Sequence, residues 1–215
     1  MSTTPVSKII ELLKTATPFS RGPVVRKEDI WASNSFPDLE KLNVHASDAV
    51  LKVVNEVRQG QYEAISILIT SNESSGKSHL ISRLRRKIKE QKDCLFLLIS
   101  GMDDLNNPKA SFQSFLANSL SQEGYASGIT QWHELATDIF NTVWKARWGY
   151  QSAEKILREF NRISRSKVQE VIQATNNTYR KINKSVSDPD IIKAILWTLV
   201  EDEEKFIVKW LGGKE

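Results

Sequence analysis

The residues best suited to chemistry are Gly76, Lys77 and Ser78, reached through the polar run Ser71, Asn72, Glu73, Ser74 and Ser75. A tight loop that ends on a helix turns successive backbone N–H groups inward, and the helix N-terminus adds the positive end of its dipole. Both features favour a bound anion, above all a polyphosphate. In that setting Gly76 and the backbone of residues 71–75 are expected to cradle phosphate oxygens. Lys77 would reach the β- and γ-phosphates, and the Ser78 hydroxyl would ligate Mg²⁺. His79 follows at the start of the same helix, where it is expected to pack or cap, and it is the last member of the candidate nucleotide-contacting set. Ser71 and Ser74 stand where such loops often carry glycine. A left-handed backbone there would cost a non-glycine residue roughly 1 kcal/mol or more.

These residues need elements to hold them. The apolar run 65–70, ISILIT, is expected to be a strand that enters the loop. Residues 77–90 carry Leu80, Ile81, Leu84 and Ile88 at helical spacing, which predicts a helix. Its other face holds Arg83, Arg85, Arg86, Lys87 and Lys89. We read that face as solvated, with a nucleic-acid or phosphate contact as the sharper alternative. Residues 94–100, CLFLLIS, read as a buried strand parallel to the first, which makes a right-handed strand–helix–strand unit. The expected fold class is therefore α/β and strongly helix-dominated. A strand–loop–helix–strand unit is followed by a large all-helical C-terminal region. Asp103 and Asp104 lie three residues beyond the second apolar run. They are expected to cap a turn before Pro108, and they remain secondary catalytic candidates beside Mg²⁺.

The expected organisation has three parts: an N-terminal helix and arm over 1–45, a phosphate-loop core over 46–123, and a helical region over 124–215. The arm holds a short helix over 6–15 and the anchors Trp31, Phe36 and Pro37. A helix is expected from Ser47, as N-cap, to Arg58, closed by Gly60. Further helices are predicted over 110–122, 130–148, 152–184 with a break near 164–166, 190–200 and 203–211. Pro189 after Asp188 marks a helix start.

Composition sets limits. The 215 residues, 40% hydrophobic and 26% charged, suffice for a core of ordinary size. No run approaches the about 18 apolar residues of a membrane span, and the first residues lack a leader pattern, so a cytoplasmic protein is expected. The single Cys94 excludes an intrachain disulfide and reads as a small buried apolar residue. A formal net charge of +4 permits a nucleic-acid partner without requiring one. The six Trp fall mainly in helical stretches and suggest packing. His45, His79 and His133 have no metal-ligating or catalytic spacing.

On these residues, 46–122 resembles the P-loop NTPases of the broad AAA+ and STAND type. The phrase SSGKSHLISRLRR is similar to the G-S-G-K-[ST]-H-L run of bacterial AAA-like ATP-binding proteins. The run WLGG at 210–213 looks like the stretch ahead of the Walker B strand in some large bacterial ATPases. The resemblance implies ATP and Mg²⁺ as ligands of residues 71–78. It assigns no Walker B carboxylate, sensor or arginine finger. Two parallel strands are too few for a stable α/β core. The chain is therefore expected to be either the N-terminal part of a longer ATPase or a reduced member, and not to hydrolyse ATP well alone. Two alternatives stand beside this ATP-binding reading. One is a helical interaction or scaffold protein without nucleotide, including a homo-oligomer. The other is a nucleic-acid-associated regulatory protein using 83–89 and 158–165.

Overall fold

The computed structural model describes residues 30–31, 41, 43–70, 76–91, 94–99, 107–186 and 188–211, with the side chains of 189 and 201–204 excepted. Eight helices are bounded among them: α1 Val44–Arg58, α2 Lys77–Lys89, α3 Pro108–Leu120, α4 Gln131–Trp148, α5 Ala153–Phe160, α6 Arg165–Ile182, α7 Pro189–Trp197 and α8 Glu201–Leu211. The chain divides into two compact units, Met1–Lys87 and Ile88–Glu215.

The expected α/β unit is not formed. Among the described residues there is no strand and no sheet, only an isolated antiparallel bridge between Glu123 and Thr130. Every residue of 65–70 is exposed, Leu68 to 87%. An apolar run becomes a strand only when a neighbouring strand takes its backbone groups. For 94–99 those groups go elsewhere. The Phe96 N–H donates to Gln131 Oε1 at 2.7 Å, and Gln131 Nε2 donates back to the Phe96 carbonyl at 3.1 Å. The Leu98 N–H donates to Ser119 Oγ at 3.0 Å, and that hydroxyl lies 3.3 Å from the Leu98 carbonyl. Burial alternates along the segment: Cys94, Phe96 and Leu98 are half-buried while Leu95, Leu97 and Ile99 are exposed. That period of two is the signature of an extended chain. One edge of it is thus bonded by side chains of α3 and α4 in place of a strand. Cys94 is half-buried, not fully buried as expected.

In the first unit, α1 begins three residues before the expected Ser47. Asn43 provides the N-cap at φ 57°, a conformation that Asn tolerates better than most residues. Ser47 lies inside the helix, fully buried, and its hydroxyl donates to the Val44 carbonyl at 2.8 Å. Gly60, at φ 71°, follows the helix and its N–H bonds to the Val57 carbonyl.

The second unit is a helical assembly centred on α4. Thr130 caps α4: its hydroxyl accepts from the His133 N–H at 3.4 Å, and His133 Nδ1 accepts from the Thr130 N–H at 3.2 Å. Trp132, Ala136, Ile139 and Phe140 follow at spacings of three and four and are buried. They join Ile156 and Phe160 of α5, Val168 and Ile172 of α6, and Ile192, Ile195 and Leu196 of α7 in one core. Trp144 Nε1 donates to the Thr175 hydroxyl at 2.8 Å, which ties α4 to α6. Trp144 stacks on Trp148 at 4.5 Å between centroids. The long predicted helix over 152–184 is two helices, parted at Asn161–Ser164 rather than at 164–166. Ser152 caps the first through the Lys155 N–H, and Asp188 caps α7 through the Asp190 N–H at 2.9 Å.

The clamp on 94–99 makes a testable prediction. Gln131 is 4% exposed, and its Nε2 also donates to the Ser119 carbonyl at 2.8 Å. Gln131→Met keeps the volume and removes the amide, leaving buried backbone groups unmet. Stability in chemical denaturation is expected to fall by about 1–3 kcal/mol. Hydrogen exchange at the Phe96 amide should speed up selectively, and an unchanged Phe96 rate would refute the clamp.

Candidate functional site

The predicted phosphate loop meets the structure at its C-terminal end. Gly76 lies at φ 86° immediately before α2, a left-handed backbone open to glycine at no steric cost. Its carbonyl accepts the Leu80 N–H at 2.9 Å, so Gly76 sits at the N-cap position. Lys77 is exposed, Ser78 half-buried and His79 buried. No acidic residue stands in the first turn of α2 to offset the positive end of its dipole. Ser71, Asn72, Glu73, Ser74 and Ser75 lie outside the described residues, as do Asp103 and Asp104. The described part of the site is therefore Gly76, Lys77, Ser78 and His79.

The basic face of α2 differs from the expectation of a solvated stripe. Arg83 and Arg85 are each only 2% exposed. The Arg85 guanidinium lies 5.2 Å from the centre of the Trp31 ring, within cation–π range. Lys89 pairs with Glu123 at 3.0 Å. Only Lys87 remains exposed, with Arg86 half-buried, so a continuous basic strip for nucleic acid is not presented by this helix.

A second constellation lies wholly in the second unit. A cleft of about 210 Å³ is lined by the turn at Tyr125, Ala126 and Ile129, by Glu134, Thr137 and Asp138 of α4, and by Tyr150, Ser152, Ala153 and Glu154. The turn is closed by bonds from the Gly124 N–H to the Ile129 carbonyl at 2.8 Å and from the Ile129 N–H to the Ala126 carbonyl at 3.2 Å. It brings the Tyr125 N–H onto Glu134 Oε1, and the Ala126 N–H also faces that carboxylate. A Cβ on Gly124 would meet the Glu134 carboxylate, the far end of a flexible side chain that would have to swing aside. On the other wall, Asn141 holds Gln151 by a reciprocal pair of 2.8 Å bonds. That pair fixes the Gly149–Ser152 connection and so places Tyr150.

Burial pushes the Glu134 carboxyl above its ordinary value of 4.5. The Asp138 charge adds to the rise, while the two backbone N–H groups and Lys89 oppose it. Burial also raises the Tyr150 hydroxyl, with the negative charges of Asp138, Glu134 and Glu154 adding to the effect. Three carboxylates therefore act on one cleft. Reading by residue type missed it. Glu134 and Asp138 share a helix face at i and i+4, but nothing in the chain says that Tyr125 and Tyr150 line the same cleft.

Compared with protein families, curated proteins and solved structures, the chain matches none.

Glu134 gives this cleft a pH signature. Because its folded value is raised, folding disfavours the charged form. Its contribution to stability is full below about pH 4.5 and is lost as pH rises through the higher folded value. Wild type is expected to lose stability relative to Glu134→Gln over that rise in urea denaturation. Parallel stability curves for the two proteins would contradict the burial of the charge.

Proposed function

We propose that the first turn of α2 binds the phosphates of ATP with Mg²⁺. The observation that carries this reading is Gly76 in a left-handed backbone at the head of a helix, followed directly by an exposed Lys77. Helix N–H groups with no acidic residue in the first turn attract an anion, a lysine ammonium answers phosphate as a point charge, and the Ser78 hydroxyl is a suitable Mg²⁺ ligand. The reading is binding, not turnover. Hydrolysis requires a carboxylate near Mg²⁺ and a group that positions water, and we assign neither. In a thermal-shift titration, ATP–Mg²⁺ at about a hundred times its Kd should stabilise the protein by about 2.7 kcal/mol. Lys77→Ala should abolish the shift. A wild-type melting curve indifferent to ATP–Mg²⁺ removes the proposal.

A second reading, self-association, is favoured by the free edge of 94–99. Leu95, Leu97 and Ile99 are 40%, 44% and 50% exposed, and their backbone groups make no hydrogen bond among the described residues. The occupant we infer is the same segment of a second copy. An antiparallel pair is two-fold symmetric, so one edge can serve both copies. Centred on Leu97, it sets Leu95 opposite Ile99. The segment has no charge, Pro or Gly to block pairing. Light scattering should show a concentration-dependent dimer that Leu97→Lys dissolves, whereas a monomer at all concentrations removes this reading.

A further inference from the structure

We propose that the solvent face of α6 enters the major groove of double-stranded DNA, with basic side chains of α5 and of the turn between the two helices on the phosphates. The surface lies in the second unit and shares no residue with the phosphate proposal.

Charge is not spread evenly along the chain. Residues 155–181 hold seven basic and two acidic side chains, a net +5 against +4 for the whole sequence, so the remaining residues together are close to neutral. Lys155, Arg158, Arg162, Lys167 and Lys181 of this stretch are exposed. Glu159 offsets part of the excess, lying 3.4 Å from Arg162 and 3.9 Å from Arg158. Those pairs stand in solvent, where an ion pair holds its partners only weakly, so a phosphate can replace the carboxylate. Arg165 lies 5.9 Å from the centre of the Trp197 ring, which anchors the head of α6 to α7. A polyanion is the partner such a concentration of positive charge fits.

The backbone supplies the shape. Four residues, 161–164, join α5 to α6, and both helices bury their apolar sides in the core around α4, with Ile156 and Phe160 from α5 and Val168 and Ile172 from α6. Helix, short turn, helix is the order in which DNA-binding proteins offer a second helix to the major groove. α6 packs on α4 and α7, and its opposite side faces solvent. Ser166, Glu170, Gln173 and Asn177, spaced four, three and four apart, run down the middle of that side, and all are exposed. Gln173 Nε2 donates to Asn177 Oδ1 at 3.0 Å, so the two amides form an ordered row. These are side chains that hydrogen-bond base edges, amides to adenine and a carboxylate to cytosine. A helix face kept only for solvent commonly alternates acidic and basic residues, whereas Glu170 is the one acidic residue among the 18 of α6. The same face separates DNA from other anionic partners. A lipid surface takes large apolar side chains, and the middle of this face has none. Duplex RNA has a major groove too deep and narrow to read, whereas the groove of B-DNA, about 12 Å wide, admits a helix.

The test is fluorescence anisotropy of the full chain with a labelled mixed-sequence DNA duplex of about 20 base pairs, roughly two helical turns. Duplex RNA of the same length and polyglutamate serve as competitors. The DNA should bind, and the logarithm of affinity should fall with the logarithm of salt at a slope of about −3 to −4, as about four phosphate contacts require. Arg158→Gln, Arg162→Gln and Lys167→Gln alter exposed side chains. Each should weaken binding several-fold and reduce the slope by about one at an unchanged melting temperature. Lys87→Gln, on the exposed basic edge of α2, should bind like wild type. Selection from random duplexes should enrich a sequence with wild type, and the double variant Gln173→Ala, Asn177→Ala should keep the salt slope and lose that preference. No DNA binding at low salt overturns the proposal. So do α5–α6 variants that bind like wild type, a wild type that enriches no sequence, and competition by duplex RNA or polyglutamate as strong as that by unlabelled DNA.

Discussion

The second unit depends on α4 being packed on several sides at once. Its buried stripe of Trp132, Ala136, Ile139 and Phe140 meets α5, α6 and α7, and its first turn meets α3. Ala136, in the middle of that stripe, has no exposed surface. A larger side chain there would have to displace a packed helix. Because α4 is fixed in this way, its polar residues are fixed too. Gln131 at one end is aimed at Phe96, Glu134 and Asp138 at the cleft, and Asn141 at the connection that carries Tyr150. One helix thus sets the extended segment and the cleft together. This is how a hydrophobic stripe comes to specify polar geometry it does not itself contain.

The helical part of this architecture was legible because it is written locally. Thr130, Ser152, and Asp188 before Pro189 announce their helices by residue type, since each offers an oxygen to an otherwise unmet N–H. The apolar spacing of Ile156 and Phe160, or of Val168 and Ile172, likewise needs no partner to be seen. The two apolar runs were misread for the opposite reason. Residues 65–70 and 94–99 have strand composition, but a sheet is a relation between segments. In 94–99 the relation that forms is with the side chains of Gln131 and Ser119. A glutamine amide sets an NH₂ donor beside a carbonyl acceptor in nearly the spacing of a peptide group, so it can stand in for a strand and still spare an N–H for Ser119. No periodicity rule anticipates that substitution.

The charged residues were read least well. Arg83 and Arg85 sit on the polar side of a helical wheel, which favours solvent, yet both are buried. Arginine tolerates this better than lysine. Its guanidinium is weakly hydrated and its planar face packs on aromatic rings, as Arg85 does on Trp31.

The chain therefore carries two electrostatic features of opposite sense, and their chemistry differs as much as their sign. At α2 the proposed attraction would come from backbone N–H groups and the exposed Lys77, which suits a ligand with many equivalent oxygens. In the cleft the Glu134 carboxylate is held by the Tyr125 and Ala126 N–H groups, with Asp138 and Glu154 beside it. Desolvation that raises the Glu134 carboxyl also means that its charge is poorly screened by water.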